Sequence, residues 1–98
     1  MSESGGNYYK VLQGRLRAIL GLVADQLPRF TVDLVTEFID ANECGLALET
    51  LSEMLHESSA QLTRQLAAEM HSLADEMGLD RQVSDRLIPL VKEPEREA

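Results

Sequence analysis

Apolar residues recur at steps of three and four along nearly the whole chain, and no stretch alternates apolar with polar residues over strand length. That period is one face of an α-helix. It confines the chain to helical architectures. From Tyr9 the stripe runs Leu12, Leu16, Ile19, Leu20 and Val23. Gly14 and Gly21 lie inside it, each about 1 kcal/mol worse than Ala in a helix; close approach of a neighbouring helix is the expected compensation. Pro28 ends the segment, because it lacks an N–H and restricts Leu27 before it. A second helix carries Leu34, Val35, Phe38 and Ile39, with Thr31 as expected N-cap and Asp33 at its positive end. Residues 40–43 (Asp-Ala-Asn-Glu) read as a turn capping the next helix, with Asp40 or Asn42 as the acceptor and Glu43 able to complete a capping box with Asp40. Helix three carries Leu46, Leu48, Leu51, Met54 and Leu55. A capping box of Ser58 and Gln61 is expected to open helix four, whose face is Leu62, Leu66, Met70, Leu73 and Met77. Gly78 fits the position after its C-cap. Asp80 is expected to cap a last short helix with Val83, Leu87 and Leu90, limited by Pro89.

With 98 residues, these segments make one domain, 1–98, an all-α bundle of four to five helices joined by short loops. Residues 1–6 read as a flexible lead and 93–98 as a charged tail. No apolar run reaches the ~20 residues of a membrane span. The N-terminus lacks the basic-then-apolar pattern of a secretory signal. The single Cys excludes an internal disulfide and fits a reducing compartment, so a cytoplasmic location is expected.

The formal net charge is −8. That balance argues against direct nucleic-acid binding, which needs Lys and Arg to neutralise phosphates, and against adsorption to an anionic membrane. The imbalance is concentrated in residues 31–58. This stretch holds Asp33, Glu37, Asp40, Glu43, Glu49, Glu53 and Glu57 and no Lys or Arg. Asp33, Glu37 and Asp40 step by four and three; Glu49, Glu53 and Glu57 step by four. Like charges at i,i+4 destabilise a helix by about 0.2–0.5 kcal/mol per pair. A solvated face that maintains solubility is one reading. A docking surface for a basic partner is the other, and the absence of bases over the whole stretch favours it.

Chemistry-bearing patterns are sparse. His56 and His71 are isolated, and Cys44 has no second Cys, so no metal spacing exists. Cys44 is expected as a small buried hydrophobe near a helix start. No phosphate-cradling glycine motif occurs, and no cofactor is expected. His71, Ser72 and Asp75 share one helical turn, whereas a catalytic triad is assembled from separate elements. No catalytic residue is assigned, and the chain is not expected to be an enzyme. An acyl carrier protein would need Asp-Ser-Leu at a helix start, which is absent. Of the adjacent Tyr8 and Tyr9, one is expected to pack and one to be exposed.

Residues 38–51, Phe-Ile-Asp-Ala-Asn-Glu-Cys-Gly-Leu-Ala-Leu-Glu-Thr-Leu, form a distinctive segment. It resembles the central motif of the MafI-type immunity proteins, small cytoplasmic partners of polymorphic secreted bacterial toxins. Glu43, Gly45, Leu46, Ala47, Leu48 and Glu49 match that motif position by position; Cys44 stands where the family more often carries Tyr or Trp. The similarity covers residues 30–55 best and weakens towards residue 77. Physically, the motif caps a helix, supplies the small residues Gly45 and Ala47 for close packing, and feeds Leu46, Leu48 and Leu51 to the core. What the resemblance implies is inhibition: binding of a cognate toxin C-terminal domain, often a nuclease. The charge pattern supplies the expected contacts, drawn from Asp33, Glu37, Asp40, Glu43, Glu49, Glu53 and Glu57. A nuclease needs a basic surface to hold phosphates, for which an acidic face could compete. The alternative is an acidic helical adaptor that binds a basic protein without inhibiting an enzyme.

Overall fold

Helix-forming periodicity becomes five α-helices in a computed structural model that describes residues 3–92. They are α1 (Glu3–Val23), α2 (Arg29–Asp40), α3 (Cys44–Glu57), α4 (Arg64–Glu76) and α5 (Arg81–Asp85), with 3₁₀ turns at Ala24–Gln26 and Ile88–Leu90. The chain is thus an all-α bundle. α3 is central and packs against α1, α2, α4 and α5. Its Leu48, Leu51 and Leu55 are fully buried, together with Leu16 of α1, Ile39 of α2 and Met70 and Leu73 of α4. The expected α1 stripe, Leu12, Leu16, Ile19, Leu20 and Val23, is buried without exception.

The helix ends differ from expectation in instructive ways. α1 begins at Glu3, so residues 3–6, expected as a lead, are helical; once a helix is nucleated, each added residue needs only one further bond. Residues 1–2 and the expected charged tail, 93–98, lie outside the described residues. Leu27 is extended, as the residue before a proline should be, and Pro28 itself occupies the N-cap of α2. Its carbonyl accepts from the N–H groups of Thr31 and Val32. Thr31 is therefore not the N-cap but a buried residue of the first turn. Its Oγ1 has no hydrogen-bond partner among the described residues. A buried orphan hydroxyl costs about 1–3 kcal/mol. Thr31→Val, which replaces that hydroxyl by a methyl of similar size, is expected to raise stability by about 1 kcal/mol, read as a higher urea midpoint with an unchanged slope.

Helices α2, α3 and α4 all stop in the same way. Asn42, Ser59 and Gly78 follow the C-caps at φ 63°, 51° and 68°. The left-handed residue turns its own N–H and that of the next residue back onto the last carbonyls. In α2, Asn42 N–H donates to Ile39 O at 3.0 Å and Glu43 N–H to Phe38 O at 2.8 Å. The expected capping box of Asp40 and Glu43 does not form: Glu43 is the N-cap of α3 through its backbone, with no side-chain cap bond. The box of Ser58 and Gln61 does not form either, because α4 starts later. Thr63 caps it, accepting from Leu66 N–H at 3.0 Å. Asp80 caps α5 as expected, accepting from Gln82 N–H at 2.9 Å.

The segment between α3 and α4 is tied down by distant partners. Gln26 donates its side-chain amide to Gln61 O at 2.9 Å and accepts from Gln61 N–H at 2.8 Å. Leu62 N–H donates to Leu90 O and Lys92 N–H to Leu62 O, each at 2.9 Å. This isolated parallel bridge fixes the C-terminal 3₁₀ turn against the start of α4. Buried Ser52 donates to Val83 O at 2.7 Å and joins α3 to α5.

Gly14 and Gly21 are exposed, and a Cβ at either would meet nothing within 4 Å. The close helix approach expected there is absent. Gly14→Ala and Gly21→Ala should each stabilise the protein by about 1 kcal/mol. A thermal melt should show a rise of about 4–8 °C for each. At Gly45, by contrast, a Cβ would lie 3.2 Å from Leu79 Cδ2, so the small residue does admit a close neighbour.

Candidate functional site

The sequence leaves the acidic stretch of residues 31–58 without a base. The fold supplies three from outside it. Arg17 of α1 donates to Asp40 at 2.6 Å. Arg29, one turn before Asp33 on α2, lies 3.5 Å from it. Arg86 shares a shallow recess of about 250 Å³ with Glu49, Glu53 and Asp80. The Arg17–Asp40 and Arg29–Asp33 pairs are exposed to solvent, where an ion pair contributes at most about 1 kcal/mol. They orient side chains and lower the local charge without cancelling it. Glu37, Glu43, Glu53 and Glu57 are exposed and have no ion-pair partner among the described residues.

The seven acids do not form one continuous patch. Asp33, Glu37 and Asp40 lie along the flank of α2 that Arg17 and Gln13 of α1 tie down, the latter by donating to Ile39 O at 2.8 Å. Glu49 and Glu53 lie on the opposite side of the α2–α3 pair, in the recess beside α5. Glu57 follows in the last turn of α3, and Glu43 stands in the turn between the helices. One acidic row is thus on the α1 side of α2 and the other on the α5 side of α3.

Both helices also expose apolar residues. Leu34 and Leu46, expected in the core, are exposed, and so is Phe30, which sequence reasoning assigned to nothing. Phe38 and Met54 are half-buried against the core. The four-residue step from Phe30 to Leu34 to Phe38 was the available signal. It runs alongside Thr31, Val35 and Ile39, the stripe that the core actually takes.

Cys44 opens α3 and is buried. Burial pushes its thiol up from the ordinary range, against a weaker opposing pull from Arg17. Its Sγ–H points to Asn42 Oδ1 at 3.8 Å. The thiolate is the reactive form. Alkylation should therefore be slow at neutral pH in the native protein and accelerate only above the usual thiol titration range. In urea the onset should return to the ordinary range; following iodoacetamide uptake against pH checks both.

Tyr8 and Tyr9 are both exposed, contrary to the expected split, and their rings meet edge-on with centroids 5.6 Å apart. On the far side of the bundle, Arg15 donates to Glu69 at 3.1 Å and to Glu76 at 3.0 Å, joining α1 to α4. Partial burial works against its charge, but the bonds and attraction of the two carboxylates prevail and raise its pKa. Beside this cluster, Ala18, Ile19, Leu22 and Leu66 line an open groove of about 430 Å³. A second groove of about 610 Å³ has Ala67, Ala68, Leu87, Ile88 and Val91 along it, with His71 and Arg81 at its rim. Among the described residues, no group of three His, Cys, Asp or Glu is placed to hold a metal ion. No helix among them is long and apolar enough to cross a membrane. No family model, no curated protein and no solved structure matches this chain.

Proposed function

We propose that this protein is an immunity-type inhibitor that binds the C-terminal domain of a secreted toxin, a nuclease or another enzyme with a basic surface, and silences it. The observation that carries this reading is the exposed, unneutralised carboxylates of α2 and α3: Glu37, Glu43, Glu53 and Glu57 have no cation of this chain paired with them among the described residues. Like charges spaced along helices work against stability, which is consistent with their being kept for a partner. A field of one sign speeds encounter with a surface of the other and fixes its orientation. The resemblance of residues 38–51 to the immunity motif supplies the expected consequence of that encounter, inhibition.

The test is an activity assay on the C-terminal domain of a candidate toxin, a secreted protein whose gene adjoins that of this chain. Stoichiometric addition of the protein should abolish degradation of DNA or RNA by that domain, and co-expression should rescue growth. Binding that leaves the domain fully active would support the adaptor reading instead. A pairing in which neither binding nor rescue occurs would contradict both.

A further inference from the structure

An α-helix advances about 100° per residue, so Phe30, Leu34 and Phe38 fall within one flank of α2. That flank is not the one facing α1, since Asp40 and the Ile39 carbonyl are bound there by Arg17 and Gln13. It therefore faces the side on which α3 packs. On α3, Ser52 is bound to α5 and Glu49 faces the recess beside it. Met54 lies on the arc turned away from α5, towards α2, and Leu46 on the outer face of α3 between Glu53 and Glu57. Phe30 is 67% exposed, Leu34 40% and Leu46 42%. Phe38 and Met54 continue the seam inward to the core. Both phenylalanines of the chain are in this seam.

Acids border it on both sides. Asp33 and Glu37 flank it on α2, and on α3 Glu53 and Glu57 stand on either side of the exposed Leu46. An apolar strip with a charged rim is the anatomy of a protein interface, and a large exposed aromatic is the kind of side chain that dominates its energy. The rim selects the occupant. A second copy of this chain would bring carboxylates against carboxylates in a protein of net charge −8, and an anionic lipid surface would meet the same repulsion. We infer that the α2–α3 seam docks a protein segment that presents apolar side chains flanked on both sides by Lys or Arg. The inference rests on the partner-binding reading and gives it chemistry: apolar anchors at the centre, with the acids as rim and guide.

The test uses the full chain, isotopically labelled, and a short helical peptide with one Leu stripe flanked by Lys. Two counterparts carry Glu for Lys and Ser for Leu. The Leu/Lys peptide should saturably shift the amide resonances of Phe30, Leu34 and Leu46, and neither counterpart should. Phe30→Ser with Leu34→Ser, both at exposed positions, should weaken that binding at least about tenfold while leaving the circular dichroism spectrum unchanged. Equal binding of the Ser counterpart, or shifts confined to the groove between α4 and α5, would overturn the proposal. A toxin domain inhibited as well by the double variant as by the native chain would overturn it too, with inhibition itself intact. Saturation of the seam by the peptide, without any binding to the toxin domain, would uphold the seam and contradict the inhibitor.

Discussion

Leu51→Ala should lower stability by about 3–4 kcal/mol, near the upper part of the range for a buried Leu truncated to Ala. Leu51 is fully buried at the middle of α3, the helix that packs against the other four. The cavity left by the missing side chain is bordered by several elements, and none can close over it without giving up contacts elsewhere. A domain of this size holds roughly 5–15 kcal/mol in total. The substitution therefore removes a large fraction, and the urea midpoint should fall by about 2 M at an unchanged slope. A fall of less than about 0.5 M would mean that α3 is not the centre of the core. Truncation of the exposed Leu46 on the same helix should change little, and so provides the internal control.

The second large effect concerns affinity rather than folding. Glu49→Lys, Glu53→Lys and Glu57→Lys together should weaken partner binding by about 100-fold or more, since like charges set against each other across an interface cost several kcal/mol. The fold should survive. Spacing of four is kept, so one like-charge row replaces another. Lys at position 57 suits the negative end of α3 better than Glu does. At position 49 the loss is the favourable neighbourhood of Arg86 in the recess beside α5, with which Glu49 forms no ion pair among the described residues. Unchanged thermal melting together with lost binding is the expected pair of results. Lost melting would place these carboxylates in the structural framework instead.

The helices were legible because burial is periodic. The α1 stripe, the Gly78 turn and the Asp80 cap could all be read from spacing and local backbone chemistry. Helix starts were less legible. Thr31, Asp40, Ser58 and Thr63 are all capable of capping, and only the packed position of each helix decides which one does. Leu34 and Leu46 were expected in the core because a helical stripe is wider than the arc a neighbour covers, and sequence does not reveal on which flank that neighbour lies. The pairing of Gln26 with Gln61, and the approach of Arg17 and Arg86 to acids far along the chain, depend on tertiary placement alone. Gly14 and Gly21 have no packing role in this fold, so a rule about close approach had nothing to act on. For the candidate site, the concentration of acids in residues 31–58 was plain from composition. Its division between the α1 side of α2 and the α5 side of α3 was not, because it depends on which flanks α1 and α5 occupy.

The most direct measurement is calorimetric titration of this protein into the purified C-terminal domain of a secreted toxin proposed as its cognate partner, at low and at high salt. An inhibitor guided by the acids of α2 and α3 should bind one to one and tightly, and its affinity should fall as salt screens the rim. Absence of binding would contradict the immunity reading, and tight binding indifferent to salt would contradict the part assigned to the acidic rows.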